Sequence, residues 1–227
     1  MPYRLKKTAI IVAGGIGIRM NSNIPKQFLL LSGRPLLMHC LDAFFIADAK
    51  TELVVVLPEP FVDEWKKLCN LYRFNIKFSV VTGGETRFHS VKNAIPSIAD
   101  DGLVAIHDGV RPLVTPELIN LCFDSAIQLG NAVPVVPVND SIRLIDGNES
   151  RPEDRKQIRI VQTPQVFQVL PFKKAYEQAY DVAFTDDATV IERMGEKIHL
   201  IVGDPENLKI TCPEDLRIAE HLLLANK

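Results

Sequence analysis

The chain has 227 residues, 47% of them hydrophobic, enough to bury a sizeable core without disulfide or metal support. Its 26 Lys and Arg against 28 Asp and Glu leave a formal charge of -2, which gives no reason to expect a polyanionic partner held by bulk attraction, so phosphate chemistry must rest on locally placed cations. Cys40, Cys69, Cys122 and Cys212 are scattered, with no CxxC pair and no histidine at ligand spacing, and read as reduced packing residues.

Arg4, Lys6 and Lys7 precede an apolar run, but that run contains Gly14, Gly15 and Gly17 and leads into Arg19 without a small-residue cleavage pattern, so it is not expected to be a secretion signal. No stretch approaches the eighteen or so apolar residues a membrane span needs, and a cytoplasmic location is expected. In chain order, "TAIIVAG", "ELVVVLP", "IKFSVVTG", "GLVAIHDG", "NAVPVVPV" and "KIHLIVGD" read as strands. Between them, residues 35–46, 60–72, 87–98, 115–129, 171–181 and 187–194 read as helices, and 213–225 as a last one with Thr211 as its N-cap. Continuous apolar strands alternating with amphipathic helices predict one three-layer α/β sandwich spanning residues 1–227, built on a mostly parallel sheet. One segment interrupts the alternation. Residues 139–162, "NDSIRLIDGNESRPEDRKQIRIVQ", are polar, and their alternating ends "SIRLI" and "QIRIVQ" predict a projecting β-hairpin arm. An isolated ribbon is marginal in water, so a second subunit is expected to cover it.

The chemistry is expected in the loops at the strand ends. Gly14-Gly15-x-Gly17-x-Arg19 is followed seven positions on by Lys26, preceded by Pro25. Met20 stands where a dinucleotide fingerprint needs its third glycine, and no GKS or GKT makes a P-loop. Bare backbone amides with a guanidinium and an ammonium nearby suit a triphosphate. Gly83 and Gly84 end another strand and lead to Arg87 and Ser90, a setting for a base or ribose. In "AIHDGVRP", Asp108 at a strand end suits Mg²⁺ carried by phosphates, Arg111 can hold an anion, and His107 reads as a packed turn histidine. In "FTDDATVIE", Thr185 or Asp186 can cap a helix, and Lys209 lies in a short apolar, strand-like piece.

Together with "AGGIGIRMNSNIPKQFL", "GGETRFHSV", "PVNDSI", "QTPQVF" and "ENLKITCPEDL", these stretches cover nearly the whole chain and resemble the 2-C-methyl-D-erythritol 4-phosphate cytidylyltransferases. The resemblance implies a Rossmann-like α/β/α sandwich of the nucleotide-diphospho-sugar transferase type. It also implies an enzyme that joins CTP to a polyol phosphate with loss of pyrophosphate, uses Mg²⁺, and works as a homodimer with crossing arms. Carried over by position, Ala13, Gly14, Gly15 and Gly17 wrap the CTP phosphates, and Arg19, Lys26 and Lys209 are catalytic. Gly83, Gly84, Arg87 and Ser90 bind cytidine, and Asp108 holds the metal. Arg111 and Thr185, with Ser141 and Arg155 from the neighbouring subunit, grip methylerythritol phosphate. Gly109 and Val110 stand where the family usually has two alanines. A similar "VRP" occurs in the sister ribitol-5-phosphate cytidylyltransferases, which leaves CDP-ribitol synthesis as the alternative. A nucleotide-binding regulatory module is disfavoured by the presence of both Arg19 and Lys26, and an NAD-dependent oxidoreductase by the missing glycine.

Overall fold

The computed structural model describes residues 5–14 and 24–225. Strand β1 (Lys7–Val12) pairs in parallel with both β4 (Glu52–Leu57) and β6 (Leu103–Asp108), and β4 pairs in parallel with β5 (Ser79–Thr82). Beyond β6 the direction reverses. β11 (Gln165–Gln168) runs antiparallel to β6 and to β7 (Asn131–Pro137). β10 (Arg159–Val161) continues along β7, whose other side carries β12 (Leu200–Val202) in parallel. The sheet is therefore mixed, where the sequence predicted a mostly parallel one. The added strand, "QVFQ", is only four residues long, too short for its period to mark it.

Both faces of the sheet are covered, so the inner strands carry continuous apolar runs rather than an alternating pattern. Ala9, Ile11, Leu53, Val55, Leu57, Leu103 and Ala105 point to one core, shared with α1 (Leu36–Ala47), α2 (Val62–Leu71) and α4 (Pro116–Leu129). Ile10, Val54, Val56, Val104 and Ile106 point to the other, shared with α3 (Arg87–Ala94), α5 (Val169–Ala175) and α6 (Asp187–Glu192). A smaller cluster of Leu31, Leu36, Val110, Ile210 and Ala219 seats α7 (Pro213–Ala225) beside the two-residue strands β2 (Leu30–Leu31) and β3 (Arg34–Pro35). The expected Thr211 cap is replaced. The Asp215 carboxylate accepts from Thr211 N–H, Thr211 Oγ1 and Cys212 N–H at 2.7, 2.7 and 3.0 Å, so the acid inside the first turn satisfies the helix start. All four cysteines are free, and burial pushes the Cys122 thiol up to about 12.

The arm also differs in its pairing. β8 (Ile142–Asp146) pairs with β9 (Glu149–Glu153) around a two-residue turn whose first residue, Gly147, has φ 57, as a primed hairpin turn requires. "QIRIVQ" does not pair with "SIRLI"; it supplies β10 of the main sheet. β9 was hidden because "ESRPE" is polar on both sides, and a strand without a buried face leaves no alternation in the sequence.

Trp65 is fully buried and stacks on Phe28 with centroids 5.7 Å apart and planes within 6°. Phe28 closes the 3-10 turn Lys26–Phe28, so this stack pins the chain directly after Lys26. Trp65→Ala is expected to lower unfolding stability by about 3–5 kcal/mol. A denaturant midpoint corresponding to a loss below about 1 kcal/mol would show that the stack does not hold this segment.

Candidate active site

The carboxyl ends of β1, β4, β5 and β6 lie along one edge of the sheet, and two glycine turns meet there on a single side chain. Ala13 N–H donates to Val56 O at 2.9 Å, and Gly83 N–H to Leu57 O at 2.8 Å, so both turns are bonded to the end of β4. Ser90, 3% exposed, accepts from Gly84 N–H at 3.0 Å. A Cβ on Gly14 would stand 3.3 Å from Ser90 Oγ, and one on Gly83 would stand 3.1 Å from it. At Gly84 a Cβ would meet His89 Cβ at 2.5 Å, which no ordinary relaxation accommodates. Thr86 caps α3 by accepting from His89 N–H at 3.3 Å. The three glycines thus let two loops close on the start of one helix.

Asp108 ends β6 with its side chain 10% exposed. Lys209 Nζ lies 2.8 Å from Oδ2, Arg111 Nε 3.6 Å from Oδ2 and Arg87 Nε 3.5 Å from Oδ1. Burial alone would push the Asp108 carboxyl up, but Arg87, Lys209 and Arg111 together override it and hold the group well below the usual carboxylate range. The group is ionised at any working pH. Arg87 also binds the fully buried Asp187, Nη2 to Oδ2 at 2.6 Å, and Tyr176 Oη donates to Asp187 Oδ1 at 2.6 Å.

Several groups hold this knot in place. Asp108 N–H donates to Thr163 Oγ1 at 3.1 Å, and Thr163 Oγ1 lies 3.1 Å from His107 Nδ1. The His107 ring is fully buried, and desolvation pushes its pKa down to about 4, so it is neutral and structural, as its sequence suggested. Arg111 Nη1 donates to Asn207 O at 2.8 Å, and Asn207 Nδ2 to Thr163 O at 2.9 Å. Ile210 N–H donates to Val110 O at 2.8 Å, which docks residue 210 beside the β6 turn and sets Lys209 over Asp108.

Residues 7–225 match the family model "IspD: 2-C-methyl-D-erythritol 4-phosphate cytidylyltransferase". The chain belongs to that family. A relative of that name from Bacteroides thetaiotaomicron is 48% identical over 219 residues, 96% of this chain and 100% of the relative. One from Porphyromonas gingivalis is 46% identical over 96% of this chain and 98% of its own length. Among solved structures, the 4-diphosphocytidyl-2C-methyl-D-erythritol synthase of Anaerococcus prevotii superposes with TM-score 0.82 at 26% identity, covering 97% of this chain and 96% of that one. The 2-C-methyl-D-erythritol 4-phosphate cytidylyltransferase of Thermus thermophilus gives 0.78 at 30%, covering 96% and 98%. The chain is thus a nucleotidyltransferase of the expected fold.

Against the family pattern, the cluster brings together Asp108, Arg87, Arg111 and Lys209, and Ser90 brings together Gly14, Gly83 and Gly84. Gly15, Gly17 and Arg19 lie outside the described residues. Lys26 is half-buried at the start of its 3-10 turn. Lys209 lies in irregular chain rather than in a strand. Asp186, not Thr185, caps α6, accepting from Thr189 N–H at 2.9 Å, which leaves Thr185 exposed. Ser141 and Arg155 are exposed on and beside the arm, with Arg155 donating to Asn139 O. Val110 is buried against Ile210 and Leu36, so the departure from alanine there fills the α7 cluster. A Cβ at Gly109 would stand 3.0 Å from Ala13 Cβ, so glycine there fits a tighter approach of the β1 turn. Sequence reasoning missed Asp187, Thr163 and Asn207 as site residues, although each lies in a stretch that carried the family resemblance. Tyr176 gave no signal at all.

Gly84→Ala should raise the KM for the nucleotide by about tenfold or more, because the clash with His89 costs at least about 1.4 kcal/mol of loop geometry. A KM within twofold of the parent would mean that this turn does not contact the nucleotide.

Proposed function

We propose that this chain joins CTP to 2-C-methyl-D-erythritol 4-phosphate, giving 4-diphosphocytidyl-2-C-methyl-D-erythritol and pyrophosphate, in the route to isoprenoid precursors. The observation that carries the site assignment is the meeting of two glycine turns at Ser90 beside the Asp108 cluster, where three cations face two carboxylates. An acceptor phosphate oxygen attacks the α-phosphorus of CTP. The bond from that phosphorus to the bridging oxygen breaks, and pyrophosphate leaves with the electron pair. The acceptor is already an anion at neutral pH, so no general base is needed, and the protein's task is to align two anions and neutralise the charge that builds up. Ala13, Gly14, Gly15 and Gly17 wrap the phosphates, Arg19, Lys26 and Lys209 offset the charge at the α-phosphate, and Gly83, Gly84, Arg87 and Ser90 form the cytidine side. Arg87 serves through its backbone and through the carboxylates it holds, since its guanidinium is occupied by Asp108 and Asp187.

Mg²⁺ is the expected cofactor. Asp108 is a single carboxylate already paired with cations, and among the described residues no group of three His, Cys, Asp or Glu side chains is placed to hold a metal. That donor set fits Mg²⁺ only as part of a nucleotide complex, with phosphate oxygens completing its shell, which is the usual habit of this ion. Bound there, it would neutralise phosphate charge.

Arg111 and Thr185 lie on the acceptor side, with Ser141 and Arg155 reaching from a second subunit. Support for the homodimer comes from the arm, where Leu144 and Ile145 are 46% and 68% exposed, and from the sheet edge, where Leu200 and Val202 are 57% and 80% exposed. A cytoplasmic location agrees with the free cysteines and with the absence, among the described residues, of any helix long and apolar enough to cross a membrane. The ribitol 5-phosphate alternative is not favoured by the family match. Pyrophosphate release from CTP with each polyol phosphate in turn tests the choice of acceptor, and faster turnover with ribitol 5-phosphate would reverse it.

Lys26→Ala and Lys209→Ala should each lower turnover by about a hundredfold or more with the thermal midpoint little changed, as expected for charges aimed at a transition state. Turnover within a few-fold of the parent would remove that residue from catalysis. For the arm, mixing Arg155→Ala subunits with Lys26→Ala subunits should restore activity, because one site of each heterodimer then carries neither defect. If subunits exchange and no activity returns, Arg155 does not act across the dimer.

A further inference from the structure

We infer that Asp187 is a positioning residue: it holds the Arg87 guanidinium back from Asp108, so that the Asp108 carboxylate stays available to a divalent cation arriving with the nucleotide. The inference rests on the reading of Asp108 as the metal-binding carboxylate. Arg87 stands between two acids but is shared unequally. Its Nη2 lies 2.6 Å from Asp187 Oδ2, a short charge-assisted hydrogen bond, while its Nε lies 3.5 Å from Asp108 Oδ1, beyond good hydrogen-bond length.

The imbalance has a cause. Asp187 is fully buried, and among the described residues its side chain has one donor beside Arg87, the Tyr176 phenol at 2.6 Å, and no second cation. Without Arg87 this buried carboxylate would be left with no counter-ion among the described residues, so Asp187 holds the guanidinium tightly. Asp108 has Lys209 and Arg111 as well, and can release it.

Neither side of the contact is free to follow the other. Asp187 is the first residue of α6, whose start is fixed by the Asp186 capping box and by Ala188 N–H donating to Gln165 Oε1 at 2.9 Å. Tyr176 is held between Phe88 and Phe172, each with its ring centroid 4.8 Å away. Arg87 opens α3, whose Thr86 cap sets its backbone. Without the charge at position 187, the one remaining anion for Arg87 among these groups is Asp108. The guanidinium would close on it, and an incoming cation would then have to displace a second tight partner beside Lys209.

Mn²⁺ serves as the probe, with its binding followed by electron paramagnetic resonance in the presence of CTP and without acceptor. Asp187→Asn should raise the Mn²⁺ concentration for half-binding by about tenfold, since groups sharing one network couple by that order. Tyr176→Phe should act in the opposite direction, because Asp187 then depends on Arg87 alone and draws it further from Asp108, so Mn²⁺ should bind about two- to threefold tighter. In turnover, Asp187→Asn should raise the Mg²⁺ concentration for half activity rather than lower the rate at saturating metal. Mn²⁺ binding by Asp187→Asn within twofold of the parent, or weaker binding by Tyr176→Phe as general loosening would give, overturns the inference. If Asp187→Asn does not fold, Tyr176→Phe decides alone: tighter binding supports it, and unchanged or weaker binding overturns it. Asp108→Asn separates the two readings. Unchanged Mn²⁺ binding there removes the metal assignment and this inference with it, whereas weakened binding there beside unchanged binding in Asp187→Asn removes this inference only.

Discussion

The edge of the sheet that carries the chemistry is organised by one carboxylate that water barely reaches. Asp108 must be neutralised by the protein itself, and its partners come from places far apart in the chain: Arg87 from the start of α3, Arg111 from the turn after β6, and Lys209 from the segment before α7. Desolvating a charge is tolerable only when its counter-charges are fixed in good geometry, so each of those segments has to be held. That requirement explains the bonds from Ile210 to Val110, from Arg111 to Asn207 and from Asn207 to Thr163, which tie the last quarter of the chain to the central strand. The cations gathered to satisfy Asp108 give a near-neutral protein the local positive charge that a triphosphate needs.

Close approach is the second constraint. Two loops from different strands converge on the start of α3 with glycine at each point of contact, because a Cβ there would crowd Ser90 Oγ or His89. The hydroxyl of Ser90 accepts from Gly84 N–H, so it holds the Gly83-Gly84 loop against the start of α3.

The third is direction within the sheet. β11 runs against its neighbours, and the cis Thr163-Pro164 bond lies between β10 and β11. Thr163 there meets Asp108 and His107. The segment that leads into the strand breaking the parallel pattern therefore supports the Asp108 carboxylate from behind.

The sequence by itself determined the layer architecture, because strands buried on both faces need continuous apolar runs, and β1, β4, β6 and β7 carry them as "AIIV", "LVVVL", "LVAI" and "AVPVV". It also marked Gly14 and the Gly83-Gly84 pair at strand ends, and it marked Asp108, Arg87, Arg111 and Lys209 as candidates by residue type and by family pattern. It could not mark β9 or β11, one polar on both sides and the other too short for its period to register. Nor could it give the unequal sharing of Arg87 between Asp108 and Asp187 or the part of Tyr176, eleven positions before Asp187 and anonymous among other aromatic residues. Those relations belong to the tertiary structure alone. Hydrophobic period is a local property of the chain, whereas the neutralisation of a buried charge depends on which distant segments the fold brings within about 4 Å of it.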